Sequence, residues 1–441
     1  MSPAIHPLYD SKLRSARAAA DLLRPADTVA VPIATGQPAA FLTALGERTD
    51  WTGLSIFGGL LIEPYAVLQR PGVRLISGFY GPIERMMQAA GAAVDYLPAD
   101  FLGWERYARV AKPRVVATAV APMDERGFFS LGLHAGATFG ALLAAARDPD
   151  RLAVVEVVGD MPHVFGLGQY GAHRVHVSEV DCVIESDRTT FVLGTAINDA
   201  DRIIAHHVEQ LIDDGATLQF GIGGIPNAVA QLLAAGPKGD FGIHTEMFID
   251  GIMHLHTAGK VSNHKSIFDG FSIATFAAGS AELYRWMHRN PEVRMLPVTE
   301  VNDPAIIRRN RRMVSINGAL AVDFSGQIMA DTLGPVQYSG VGGHELFVIG
   351  AHDCPDGKSV ICMRSTATVG GQRVSTIVSQ LPAGTAVTTP RHHVQFVITE
   401  HGVADLGMLT VGERARALIA IAHPDFRDAL QSESRPPVGP P

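Results

Sequence analysis

The stretch ATLQFGIGGIPNAVAQLLAAGPKGDFGIHTE, residues 216–246, decides how the fold is read. Residues 216–220 are short and apolar and run directly into Gly221, Gly223 and Gly224, the pattern of a buried strand entering a tight turn. Pro226 suits a first helical position, residues 227–235 carry a helix, and Gly236-Pro237 stops it. Residues 241–245 read as the next strand. Such a β-loop-α-β unit is right-handed, so its two strands run parallel in one sheet. The glycine loop and Glu246 are therefore predicted at the carboxyl ends of parallel strands, where open α/β sheets take their ligands.

A chain of 441 residues with 47% hydrophobic content buries large cores and has the length of two or three domains. Its net charge of -8 and pI near 6.1 argue against a nucleic-acid groove, while leaving room for a local basic pocket facing a phosphate-bearing ligand. Cys182, Cys354 and Cys362 are an odd, widely spaced set and read as free thiols in a reducing compartment. The first residues lack an apolar signal region and no uncharged run is long enough to span a bilayer, so a soluble, cytoplasmic protein without membrane partners is expected.

The opening stretch has an echo. DTVAVPIATGQP, residues 27–38, lies over GATLQFGIGGIP, residues 215–226, at an offset of 188 residues without a gap. The same offset lays an amphipathic helix predicted over residues 12–23 on residues 200–211. One α/β layout is thus expected twice, as tandem domains at residues 1–199 and 200–434, with a proline-rich disordered tail at 435–441. At that offset Glu246 falls on Gly58, so only the second copy keeps a carboxylate. Elsewhere in the first half, residues 73–77, 115–120 and 152–158 alternate with helices, as in a mostly parallel sheet covered on both faces. In the second half, strands are expected at residues 272–276 and 294–298, a hairpin at 321–329 turning at Ser325-Gly326, and a last helix starting near Gly412.

The glycine turn has a structural reading, a tight strand-to-helix connection, and a ligand reading, a cradle for phosphate. Gly-Ile-Gly-Gly-Ile-Pro lacks the third glycine of a dinucleotide fingerprint. Glu246 reads either as a helix-start carboxylate or as a nucleophile at a sheet edge, since shielded carboxylates form covalent acyl intermediates. His244, His254, His256 and His264 do not show His-Glu-x-x-His spacing, and no Cys-x-x-Cys occurs, so no metal is expected. His392-His393 read as half-buried partners for backbone groups, and Ser339 lacks a Gly-x-Ser-x-Gly context.

Several ordered motifs carry a resemblance: Gly221-Ile-Gly-Gly-Ile-Pro226, His244-Thr-Glu246-Met, Tyr338-Ser-Gly-Val-Gly-Gly343, Gln380-Leu-Pro-Ala-Gly-Thr-Ala-Val-Thr-Thr-Pro-Arg391 and Ile398-Thr-Glu-His-Gly402-Val-Ala-Asp405. With Pro122-Met-Asp124, Gly127-Phe-Phe-Ser130 and Met161-Pro162 they cover nearly the whole chain. The sequence resembles the acetyl-CoA hydrolase/transferase family of CoA-transferases, and within it the 4-hydroxybutyrate and butyryl-CoA transferase branch. The resemblance implies two tandem CoA-transferase domains of the ribose-phosphate-isomerase-like kind. It also implies Glu246 as the nucleophile of a ping-pong exchange of CoA between an acyl-CoA and a small carboxylic acid, with no cofactor beyond CoA as substrate. Gly340, Gly342 and Gly343 are then the expected oxyanion donors. Gly221, Ile222, Gly223, Gly224 and Ile225 would lie against CoA, and Asn317 falls where the family carries an asparagine near the site. Homodimers or higher homo-oligomers are expected.

Some positions depart from that pattern. His344, Glu345, Leu346 and Phe347 stand where the branch often has glutamine and then Asp-Phe, Gly407 replaces an arginine, and Val158 an asparagine. The nucleophile is untouched; the acyl group and the acceptor are what these changes bear on. His344 has two readings, a partner for the distal carboxylate of a polar acid or a packing replacement. Two other functions fit the same motifs, an acyl-CoA hydrolase using water as acceptor and a non-catalytic CoA-binding regulator.

Overall fold

The computed structural model describes residues 7–434, so the tail expected at 435–441 lies outside the described residues. The chain divides into two compact units. The first runs through Gly194 and also takes in Glu246–Phe248 and Phe271–Asn302; the second comprises Thr195–Thr245, Ile249–Gly270 and the chain from Asp303 onward. A single cut after residue 199 does not express this arrangement, because two later segments return to the first unit and Glu246 goes with them. Among the described residues no helix is long and apolar enough to cross a membrane.

The first unit is built on an eight-stranded sheet in the order Leu13–Arg14, Cys182–Ser186, Leu152–Val158, Val115–Val120, Ala26–Ala30, Gly53–Gly58, Val73–Ser77, Val94–Tyr96, parallel throughout. Leu152–Val158 is an interior strand, as its continuous apolar run predicts, and six of its seven residues are buried. Its one acid, Glu156, is fully buried and accepts the backbone N–H groups of Ala40 and Phe41 at 3.0 Å each, at the start of the helix Ala39–Glu47. Burial pushes its pKa above the usual carboxylate range against the pull of those donors.

The helix expected over residues 12–23 does not form as one piece. A helix Pro7–Lys12, a two-residue strand and a helix Ala16–Ala20 replace it. Leu13 and Arg14 pair with Val183 and Ile184, and the Ser15 side chain accepts the Ala18 N–H at 3.1 Å, capping a new helix where the old one would have continued. Sheet pairing at the edge wins over a short helix of modest propensity.

The second unit holds a six-stranded sheet, Gly242–Ile243, Thr217–Phe220, Met313–Gly318, Lys358–Cys362, Phe396–Thr399 and Gly402–Asp405. Its first five strands are parallel and the last closes an antiparallel hairpin. Ile204 and Val208 on the helix Asp199–Leu211, and Val229 and Leu233 on the helix Gly224–Ala235, are fully buried with Leu218 and Phe220 of the sheet. The predicted hairpin is present as Ala321–Asp323 and Ile328–Met329. The helix near Gly412, Val411–Ala420, is followed by another, Pro424–Glu433, which Pro424 opens at a first-turn position. Both units are thus mixed α/β structures around open, mostly parallel sheets.

One buried ion pair fixes the start of the first sheet. The Asp27 side chain is 1% exposed, and Arg114 Nε reaches its two oxygens at 2.9 and 3.0 Å. Burial pushes the Asp27 carboxyl up, but Arg114 and the N–H groups of Arg24 and Thr28 outweigh it and hold it below the usual range. Its stabilisation is therefore present above the ordinary aspartate pKa and is lost as pH falls through the folded value. Arg114→Met should destabilise the protein by about 3–5 kcal/mol near neutrality. Denaturant unfolding at several pH values should show the deficit shrinking below pH ~4, where the stranded carboxyl takes up a proton. A deficit independent of pH would contradict the assignment.

Candidate active site

Thr217–Phe220 is paired on both sides, Thr217 with Gly242 and Gln219 with Ser315, so the predicted strand-loop-helix-strand unit is present with its strands adjacent and parallel. The turn leaves the sheet under tight constraint. Gly221 donates its N–H to the Ile316 carbonyl at 3.0 Å, and a Cβ at Gly221 would stand 3.3 Å from that same oxygen. Gly223 has φ +120° and precedes the helix, which begins at Gly224 rather than at Pro226. Pro226 is thereby the third helical residue, where a missing N–H costs nothing because the first turn has no intrahelical acceptors.

Gly224 has a different reason to be bare. A Cβ there would lie 2.3 Å from Asp201 Oδ2 and 2.8 Å from the Ala196 carbonyl. The vacant space admits a carboxylate of the protein itself. Asp201 stands in the first turn of Asp199–Leu211, where it and Asn198 cap one another, and its side chain is 4% exposed. Arg364 meets its Oδ1 through Nη2 at 3.0 Å and Nε at 3.3 Å.

Beside this turn lies a cavity of about 500 Å³. Ile222, Gly224 and Ile225 line it together with Asn317, while Gly221 and Gly223 shape the turn without lining it. Asn317 is buried and donates to Ser315 Oγ at 2.7 Å, which donates to Gln219 Oε1 at 2.8 Å, so a chain of side chains across two neighbouring strands orients its amide. Arg364 and the strand Thr366–Val369 form another wall.

Glu246 belongs to the first unit and is half-buried. It starts no helix, since Asp250–Thr257 begins four residues later. Its carbonyl accepts the N–H groups of Thr275 and Phe276 at 3.0 and 3.2 Å, and Met247–Phe248 pairs in parallel with Phe276–Ala277. Asn302 Nδ2 donates to Oε2 of its carboxylate at 2.5 Å. Asn302 is itself fully buried, with no partner on its Oδ1 among the described residues. His244, two residues before Glu246, is fully buried in the second unit, where Asn310 Nδ2 approaches its Nδ1 at 3.1 Å and the rings of Phe268 and Phe347 flank it.

Residues 279–434 match the family model described as the acetyl-CoA hydrolase/transferase C-terminal domain. A succinyl-CoA:cyclohexane-1-carboxylate CoA transferase of Geobacter metallireducens is 37% identical over 433 residues, covering 97% of this chain and 96% of that protein. A butyryl-CoA:acetate CoA-transferase of Anaerostipes caccae is 35% identical over 96% and 95% of the two chains. The solved structure of a 4-hydroxybutyrate CoA-transferase from Porphyromonas gingivalis superposes with a TM-score of 0.78 at 31% identity, over 97% and 98% of the chains.

The chain belongs to the acetyl-CoA hydrolase/transferase family.

The second glycine cluster of this family member is a turn rather than a strand. Tyr338 and Ser339 donate their N–H groups to the Asp331 carbonyl at 2.9 Å, Gly342 has φ +55°, and Gly343 caps the helix His344–His352. Gly340, Gly342 and Gly343 are absent from the lining of the cavity that holds the first loop. His344 opens the helix with its Nε2 buried and without a partner among the described residues. Burial pulls its pKa down to about 4, with Asp331 opposing, so the imidazole is neutral near pH 7 and offers a hydrogen bond rather than a charge to any carboxylate. Gly407 donates its N–H to Asp405 Oδ1 at 2.9 Å in the turn after the edge strand, and Val158 is a buried strand end.

Asn302, Asp201 and Arg364 are the residues that sequence reasoning passed over. Val301-Asn-Asp-Pro304 reads as a turn, and Asn198-x-x-Asp201 as an ordinary cap; only the fold shows what lies across from each. A Gly224→Ala substitution should displace the helix start and lower stability, by about 1–3 kcal/mol as for other overpacked sites. Asp201→Ala should relieve that clash, so thermal unfolding of the double variant should show less than the sum of the two single losses. Strict additivity would mean that Gly224 and Asp201 do not share the space.

Proposed function

We infer that this CoA-transferase moves CoA from an acyl-CoA to a small carboxylic acid through covalent catalysis by Glu246. The observation that supports the reading is a contact on its carboxylate: the buried Asn302 amide donates to Oε2, the oxygen that keeps the carbonyl role when Oε1 forms the new bond. Oε1 adds to the thioester carbonyl, the C–S bond breaks, and an acyl-glutamyl anhydride and CoA thiolate result. The thiolate then adds to the glutamyl Cδ of the anhydride, the donor acid leaves as its carboxylate, and a glutamyl-CoA thioester remains. An incoming carboxylate attacks that thioester and the steps run in reverse to the new acyl-CoA. Whenever a nucleophile adds to Cδ, negative charge gathers on Oε2, and the Asn302 amide already faces it. The N–H groups of Gly340, Gly342 and Gly343 are the proposed donors for the acyl oxyanion.

The CoA moiety is assigned to the cavity beside Ile222, Gly224, Ile225 and Asn317. Short-chain acyl groups of the butyrate and 4-hydroxybutyrate type are the proposed substrates, which the names of the full-length relatives support. The further reading of the units as a duplicated ribose-phosphate-isomerase-like fold is supported by the shared order of strand, glycine-containing turn and helix at Ala26–Ala30 to Ala39–Glu47 and at Thr217–Phe220 to Gly224–Ala235. Hydrolysis by the same glutamate is the second reading, supported only by the family's mixed membership.

Incubation with butyryl-CoA without acceptor, then borohydride reduction and peptide mass spectrometry, should modify only the peptide bearing Glu246, and Glu246→Ala should remove both the label and turnover. Consumption of thioester without that label would sink the covalent mechanism. Asn302→Ala should lower kcat about 10²–10³-fold, the effect of losing one oxyanion donor, with a much smaller change in KM. Exchange that depends on added acid and conserves total thioester marks the transferase; loss of thioester to water marks the hydrolase.

A further inference from the structure

Coenzyme A carries a 3′-phosphate and a diphosphate, and the cavity assigned to it is poor in charge. Of the side chains lining it, Arg364 is the cation and Asp201 the anion; the rest are apolar, glycine, hydroxyl or amide groups. The protein as a whole is acidic, with net charge -8, so no general field draws a polyanion there. A local cation must carry the recognition.

Arg364 is built for that task. A guanidinium presents two donor edges. The edge formed by Nε and Nη2 is spent on Asp201 Oδ1 at 3.3 and 3.0 Å, and Asp201 is held by its capping exchange with Asn198 and by the space that Gly224 leaves. Nη1 has no partner among the described residues, and the side chain is 53% exposed. The pair is exposed only on the arginine side: the inner edge compensates the buried Asp201 carboxylate, and the outer edge is left facing solvent. Thr366 and Thr368 line the same cavity on the strand that follows Arg364, and they bring hydroxyl donors to the same wall.

We propose that Arg364, oriented by Asp201, binds a phosphate group of the CoA nucleotide through its free Nη1 edge, with Thr366 and Thr368 as secondary donors. The inference rests on the placement of CoA in this cavity. It makes Asp201 a positioning residue and gives Gly224 its role: a side chain there would expel the carboxylate that aims the guanidinium. Fixing the fork in advance reduces the entropy lost when phosphate binds.

The test compares butyryl-CoA with butyryl-pantetheine, which keeps the thioester and lacks the nucleotide, in wild type and Arg364→Gln, with acetate as acceptor. The amide of Gln retains a hydrogen bond to Asp201, and Arg364→Lys serves as the second variant if the first does not fold. The preference for butyryl-CoA over butyryl-pantetheine in kcat/KM should fall about tenfold or more, mostly through KM, as expected for loss of a charge-assisted contact. Equal losses on both thioesters, or no loss, overturn the proposal. Calorimetric titration with 3′-phosphoadenosine 5′-diphosphate decides the point independently of turnover: weaker binding to the variant supports it, equal binding overturns it. If the wild type exchanges no CoA with any acid while the titration still separates the two proteins, the transferase reading fails and the phosphate contact stands.

Discussion

The register of Thr217–Phe220 against Met313–Gly318 is the constraint on which the second unit's site depends. Parallel pairing of Gln219 with Ser315 places Gly221 opposite the Ile316 carbonyl, and the Gly221 N–H closes that last rung. The chain must then turn at once, because both neighbours of the strand are occupied. A one-residue slip would send Gln219 to the other face, break its link to Ser315, and leave Asn317 without the side-chain relay that orients it. The cavity is therefore set by backbone pairing before any of its side chains is considered.

What surrounds that strand is an economy of buried polar groups. Gln219, Ser315 and Asn317 are buried and bonded to one another, which rigidifies the wall at little cost because each amide or hydroxyl has a partner. Asp201 is a harsher case, a carboxylate almost out of water. Asn198 and Arg364 compensate its desolvation, and the missing side chain at Gly224 leaves it room. Residues that read as separate local signals, a cap, a glycine and an arginine after a strand, are one electrostatic arrangement in space.

This explains what was legible in the sequence and what was not. Residues 216–246 announce their strand, turn, helix and second strand because each is decided locally by apolar runs, glycine and proline, and their parallel course follows from chain handedness. Residues 12–23 mislead because the decisive partner, Val183 and Ile184, lies far along the chain, and edge pairing overrode helical spacing there. Pro226 suggested a helix start two residues late, since a proline is tolerated throughout the first turn. Glu246 was legible as a candidate from its place after a strand. Asn302 was not: its significance is a contact across 56 residues, made from what looks in the sequence like a plain Asn-Asp-Pro turn.

The same contact bears on the covalent role proposed for Glu246. Asn302 Nδ2 donates to Oε2, and the backbone of Glu246 is fixed through its carbonyl by the N–H groups of Thr275 and Phe276. In the proposed exchange this donor faces the oxygen on which charge gathers in the glutamyl tetrahedral states. Because Asn302 is buried, it is locked before substrate arrives and need not reorganise when the charge develops, the condition under which a single neutral hydrogen bond contributes most to the rate.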